Sequence, residues 1–213
     1  MSQQRRQQYS HQPNRNTRRP RAANKKKTRS PAAGLLVFIV LVITVLANMP
    51  NISRSYIFPM DYNSYVERYS KKFGVDRNLI YAVIKTESNF DPKAESDVGA
   101  RGLMQLMEDA FDWVKYRMND EREITYDNMY DPEYNIEYGT YLLMLLCEEY
   151  DCVETAIAAY HTGRGNVNKW LDDPSYSHDG KALYDMPSSV TKHYVNKVMS
   201  AYDAYENLYN EII

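Results

Sequence analysis

The chain has 213 residues, room for one ordinary globular domain plus appendages. Its net charge of -2 conceals an asymmetry: residues 1–60 hold 11 Lys and Arg and no acid, while residues 61–213 hold the other 15 basic groups against all 28 Asp and Glu. Halves near +11 and -13 argue against one shared environment, and a compact, uniformly solvated single domain is excluded.

The leader, residues 1–31, is built of Arg, Lys, Gln, Asn and Pro, and has too little apolar surface to form a core. It is expected to be a disordered cytoplasmic tail. Ala32–Met49 follows, 18 uncharged residues rich in Leu, Val and Ile. As a helix it would cover roughly 27 Å, close to the hydrocarbon thickness of a bilayer. The stretch lacks a polar face, unlike most buried soluble helices. The expectation is a single transmembrane anchor over 32–49, with the basic cluster before it kept on the cytoplasmic side. A cleaved signal peptide competes, with Val45-Leu46-Ala47 as the cleavage site, but the leader is long for a signal sequence. Attraction to the anionic inner leaflet accounts for the leader's charge in this position, so no nucleic-acid partner is expected.

Residues 50–60 read as a linker, and 61–213 as one mainly α domain. Tyr62, Tyr65, Val66, Tyr69 and Phe73 recur at helical spacing, with Lys71 and Lys72 in the last turn and Gly74 as the stop. Asp76 caps a second helix carrying Leu79, Ile80, Val83 and Ile84. After a loop over 89–101, Leu103, Leu106, Met107, Ala110 and Val114 mark a third helix, and 119–130 is a polar connection. Asp131-Pro132 starts a helix with Ile136, Leu142, Leu145 and Leu146. Val153–Tyr160 is a short helix ended at Thr162-Gly163-Arg164-Gly165, and Asp172–Pro187 is a loop. Ser188 or Ser189 caps a last helix with Tyr194, Val195, Val198, Ala201, Tyr202, Tyr205 and Leu208. No alternating strand run is present.

Cys147 and Cys152 flank a turn at Tyr150-Asp151. On one continuous helix they would stand about 140° apart and could not pair. A bridge across the turn and two free thiols both remain open. No second Cys/His pair lies at ligand spacing, so no metal site is expected.

Chemistry concentrates on Glu87. Four residues after Val83 and three after Ile84, it continues an apolar stripe, and it ends a helix. Desolvation and the helix dipole both favour its protonated form, as a general acid working near neutral pH requires. A frayed-end Glu paired with Lys85 or Arg101 is the alternative that position alone supports.

The surroundings add to this. Glu87-Ser88-Asn89-Phe90-Asp91-Pro92-Lys93-Ala94-Glu95-Ser96 and Gly99-Ala100-Arg101-Gly102-Leu103-Met104-Gln105-Leu106-Met107 resemble the signature of the SLT-type lytic transglycosylases, which share the lysozyme-like fold. Asn135-Ile136 with Gly139, Tyr141 and Leu142, then Ala156–Tyr160 with Gly163, Gly165 and Val167, then Tyr194-Val195 with Val198, resemble the family's later motifs in order. The resemblance covers about residues 60–205.

It implies that Glu87 is the catalytic acid/base, that Ser96, Gln105 and Met107 line the glycan groove, and that Tyr160 approaches the carboxylate and the sugar. It implies cleavage of the β-1,4 bond between N-acetylmuramic acid and N-acetylglucosamine in peptidoglycan strands, leaving 1,6-anhydro ends. No cofactor or metal is implied. By position alone, Gln105 faces a cleft or solvent, core roles for Met107 and Tyr160 stay open, and Ser96 reads equally as an ordinary loop cap. His161 stands where the family commonly has Asn, next to the site, and Glu108-Asp109-Ala110 replaces a P-x-T-A segment. A hydrolytic lysozyme-type muramidase and an inactive peptidoglycan-binding scaffold remain as alternatives. The expected setting is a bacterial cell membrane, crossed once, with the domain outside the cytoplasm and a cell-envelope machine as a possible partner.

Overall fold

The computed structural model describes residues 31–209, with side chains described for 34–45 and 56–209. The basic leader lies outside the described residues but for Pro31. Two units divide the chain, Met1–Ala47 and Asn48–Ile213.

Helix α1 runs Pro31–Ile57, with proline at the first position, where its missing N–H costs nothing. It continues through most of the segment expected to be a linker. Its described apolar side chains are exposed, Leu36 and Val37 at 65%. Among the described residues no helix is long and apolar enough to cross a membrane.

The second unit is helical, with no strand among its described residues. Its elements are α2 (Asn63–Phe73), α3 (Arg77–Glu87), α4 (Glu108–Met118), a 3-10 turn (Tyr126–Tyr130), α5 (Pro132–Glu149), α6 (Val153–Thr162), α7 (Arg164–Leu171) and α8 (Ser189–Tyr209). Asp76 caps α3 by accepting from Asn78 N–H at 2.8 Å, and Asp131 caps α5 by accepting from Glu133 N–H at 2.9 Å. Gly74 closes α2 in the left-handed conformation, φ 72°. These ends match the sequence reading.

Helix α3 packs along α8, and α2 and α6 pack on α5. Residues 79–84 of α3 are all buried, at 4% exposure or less. Such all-round burial marks the centre of a core. Tyr81 stacks on Tyr205 of α8 with ring centroids 5.3 Å apart, joining the two helices that frame the site.

Two segments differ from expectation. The third helix begins at Glu108, not Leu103. Residues 94–106 instead form a tight folded loop, closed by bridges Glu95–Arg101 and Arg101–Leu106. Gly102 and Gln105 sit at φ 77° and 48°, which a continuing helix does not allow. Gly102 is fixed by space as well, since a Cβ there would lie 2.1 Å from the Met129 carbonyl oxygen. The stop at Gly163 is a corner rather than an end, with φ 84°, and α7 starts at once beyond it. Cys147 and Cys152 are free thiols.

Candidate active site

Glu87 is the last residue of α3, and the backbone beyond it turns sharply. Asn89 and Phe90 both lie in the left-handed region, at φ 51° and 68°. For a residue of phenylalanine's bulk this is strained, at about 1–3 kcal/mol, and is held only because the surroundings over-determine it. Phe90 is buried beside Tyr81, at 6.3 Å between ring centroids. Ser88 donates to the Leu103 carbonyl at 2.8 Å, tying the end of α3 to the folded loop.

That loop is held from inside by Asn135 of α5, which is fully buried. Its Oδ1 accepts from Met104 N–H at 2.7 Å, and its Nδ2 donates to the carbonyls of Arg101 at 2.9 Å and Met129 at 2.8 Å. A Cβ on Gly139 would strike the Met104 sulfur at 2.4 Å, so this position admits only glycine unless Met104 moves.

From α8, Tyr194 donates its hydroxyl to Glu87 Oε1 at 2.5 Å. Burial pushes the Glu87 carboxyl up to about 7, while the Tyr194 hydrogen bond and the nearby Lys197 charge pull it down. The enclosed carboxyl is therefore poised near neutrality. Burial and the Glu87 charge also hold the hydroxyls of Tyr194 and Tyr160 well above their usual value, so both stay protonated donors. Tyr160 of α6 donates to the Met104 carbonyl at 2.7 Å and so braces the loop while standing beside the acid. His161 stacks on the Tyr194 ring at 4.4 Å, and its Nδ1 lies 3.3 Å from Thr191 Oγ1. Burial lowers its pKa, which favours the neutral ring.

Glu87 opens on a cavity of about 420 Å³ between α3 and α8, lined also by Phe58, Lys85, Asn89, Lys197 and Ser200. A second cavity, of about 360 Å³, is lined by Met107, Trp113, Tyr160, His161 and Arg164. Met107 is 42% exposed at this cavity. Sequence reasoning thus named residues of both cavities, and Tyr194 touches a lining residue of each, Glu87 and His161.

Ser96 and Gln105 are placed differently. Ser96 Oγ accepts from Ala100 N–H at 2.9 Å. Gln105 Nε2 donates to the carbonyls of Ala94 at 3.1 Å and Gly102 at 3.0 Å. Both side chains hold the folded loop, and neither is among the residues lining these two cavities. Of the acids that follow Glu87 in sequence, Asp91 accepts from Lys93 N–H at 2.9 Å. Glu95 accepts from the Tyr130 hydroxyl at 2.6 Å, and Asp97 is exposed. Sequence reasoning passed over Tyr194 as a contact to Glu87, because its position on the apolar stripe of α8 reads equally well as core.

An all-helical domain whose central helix ends in a single enclosed, tyrosine-bonded carboxyl matches the Transglycosylase SLT domain family, whose model covers residues 64–183, and the chain belongs to that family. It is similar to the soluble lytic murein transglycosylase of Escherichia coli K12, 33% identical over 150 residues, 70% of this chain and 23% of that protein. It is also similar to the membrane-bound lytic murein transglycosylase C of Glaesserella parasuis, 31% identical over 210 residues, 87% of this chain and 55% of that protein. The crystal structure of the 70-kDa soluble lytic transglycosylase of Escherichia coli superposes with a TM-score of 0.65 at 26% identity, over 78% of this chain and 27% of that one. The chain thus spans about a quarter to a half of the length of these relatives. Glu87, Ser96, Gln105, Met107, Tyr160 and His161 fall within the family match, and Tyr194 lies beyond its end.

Proposed function

We propose that this chain is a lytic transglycosylase that cleaves peptidoglycan strands between N-acetylmuramic acid and N-acetylglucosamine, with Glu87 as acid and then base. The observation that carries the reading is the enclosed Glu87 carboxyl, bonded by Tyr194 at 2.5 Å and poised near pH 7. Protonated Glu87 gives its proton to the glycosidic oxygen as the C1–O bond breaks. The resulting carboxylate, steadied by the Tyr194 hydroxyl, takes the proton of the muramyl C6 hydroxyl, whose oxygen bonds to C1. The product is a 1,6-anhydro end, Glu87 is protonated again, and no water is consumed. Ordinary glycosidases use two carboxyl groups. Here Glu87 is the only carboxyl among the residues lining its cavity, which favours the single-carboxylate route. Met107, Tyr160 and His161 would contact the glycan in the neighbouring cavity, and Ser96 and Gln105 would hold the loop that leads into Met107.

Membrane attachment through residues 32–49 forms part of this reading. It is supported by their 18 uncharged residues and the basic cluster before them. A relative's name also includes membrane-bound. The domain would then act outside the cytoplasm on the wall close to the membrane.

The test is incubation of the full chain with purified peptidoglycan, followed by mass spectrometry of the released sugars. Anhydro-muropeptides from the wild type and none from Glu87→Gln are expected. Reducing ends would replace the proposal with a hydrolytic muramidase, and binding without cleavage by either protein would leave a wall-binding scaffold. Retention in the membrane fraction after an alkaline wash is expected, and release would remove the anchor from the proposal.

A further inference from the structure

The cavity in front of Glu87 is charged in a way that proton transfer does not use. Lys85 of α3 and Lys197 of α8 both line it. Lys85 Nζ donates to Asn89 Oδ1, and Lys197 Nζ donates to the Thr86 carbonyl at 3.3 Å. Each ammonium thus has a neutral acceptor. Among the described residues neither sits in an ion pair. The basic groups Lys72, Arg122, Arg101 and Arg164 elsewhere in the domain do. Burial lowers the pKa of Lys85, and the charge of Lys197 lowers it further, so the two cations feel each other across the cavity. Glu87, the only carboxyl among the lining residues, is largely protonated below pH 7 and offers little compensation. Two positive charges lining one space, Lys85 half-buried and Lys197 exposed, attract an anion, and an arriving carboxylate relieves their mutual repulsion.

We propose that Lys85 and Lys197 form an anion site that takes a carboxylate of the peptide stem carried by the muramyl residue next to the cleaved bond. This rests on the transglycosylase reading for the identity of the substrate. The lactyl ether of muramic acid projects its peptide from the same sugar whose C1 is attacked, so a carboxylate there lies within a short reach of Glu87. The site selects substituted over bare or charge-neutralised strands. Chemistry at C1 then follows binding at the lysines.

The experiment uses the full chain at low ionic strength with three substrates: strands bearing stems with free carboxylates, the same strands with the stem carboxylates amidated, and strands stripped of peptide. The readout is the ratio of kcat/KM values, so that any effect of Lys197 on the Glu87 pKa cancels. Wild type is expected to favour the free-carboxylate strands about tenfold over both others. Lys85→Gln and Lys197→Gln should each shrink that preference about three- to fivefold. Lys197→Arg should keep it, as should Lys192→Gln on the same helix, whose ammonium pairs with Asp185 instead. Raising the salt should erode it. Equal rates on free and amidated stems overturn the proposal, as does a preference untouched by both Gln variants. If the wild type cleaves none of the strands, titration of the same strands decides: tighter binding of free-carboxylate strands, lost in the Gln variants, keeps the anion site while removing the transglycosylase reading. Equal binding removes both.

Discussion

Two acidic regions of this domain are enclosed, and they solve the same problem in opposite ways. Glu137 on α5 is 2% exposed, and it is met by Lys72 at 2.8 Å and Arg122 at 2.9 Å. Arg122 also grips Asp120, which its hydrogen bonds hold well below the usual carboxylate range. Glu87 has no cation within ion-pair distance among the described residues. It receives one hydroxyl, from Tyr194, and burial raises it to about 7. A carboxylate clamped by two cations is held in place and supports structure. An unpaired one, half-buried beside a cavity, keeps its proton near neutrality and can trade it. The difference lies in what the neighbouring helices bring, since the side chain is the same.

The largest expected effect comes from deleting the trading group. Glu87→Gln should reduce strand cleavage about a thousandfold, within the range of general acid–base catalysis. It should also stabilise the fold, with a definite pH signature. The native carboxyl at about 7 holds a proton that the unfolded chain, near 4.5, has released. Wild-type stability therefore falls as pH rises from about 4.5 through about 7, and the Gln variant lacks that loss. Thermal melts should coincide near pH 4 and separate by about 2 kcal/mol at pH 8, after allowance for partial solvent screening. Coincident melts at pH 8 would mean that the carboxyl is better solvated than its enclosure indicates. Next in size, Glu137→Gln should cost about 2 kcal/mol, because the charge-assisted bonds from Lys72 and Arg122 to the buried carboxylate weaken while both half-exposed cations rehydrate. That corresponds to a melting point lower by about 6 °C. The pH limb of cleavage should not move.

Only the Glu87 side of this contrast was legible in the sequence. Glu87 stood out because it continues the Val83–Ile84 stripe, and the caps at Asp76 and Asp131 were visible in side-chain type alone. Helix α4 was started too early because Leu103 and Leu106 mimic a helical period, while Gln105 at φ 48° uses its own side chain to hold a tight loop. Helix α7 was missed because its eight residues open beside a glycine corner and contain Gly165. Tyr194 and Lys197 were hidden for a different reason. Their meeting with Glu87 joins residues 107 and 110 positions apart, and no local pattern encodes which side chain of α8 meets the end of α3. The pairing of Glu137 with Lys72, 65 positions away, was hidden likewise.

Tyr194→Phe sharpens the comparison by moving Glu87 further toward isolation. The hydroxyl favours the ionised carboxyl, so its removal should raise the Glu87 pKa and carry the alkaline limb of cleavage to higher pH. Loss of a hydrogen bond to a charged group, at about 1.5 kcal/mol, should lower the rate at the optimum about tenfold. A lower rate with an unmoved limb would assign Tyr194 to the sugar rather than to the acid.

Ser96→Ala should have the smallest effect, and it separates two roles that the sequence left together. The resemblance puts Ser96 at the glycan groove, whereas its hydroxyl accepts from Ala100 N–H at 2.9 Å within the loop that Tyr160 and Asn135 brace. If the loop bond is its work, alanine should cost about 1 kcal/mol of stability, the net worth of one neutral hydrogen bond. KM should then change less than about threefold, since backbone bonds from Ser96 N–H to the Ala100 carbonyl and from Gly99 N–H to the Ser96 carbonyl remain. A tenfold rise in KM with unchanged melting would instead place the hydroxyl on the glycan. The folded loop would then belong with the Glu87 region, as a surface that meets substrate, rather than with the paired interior around Glu137.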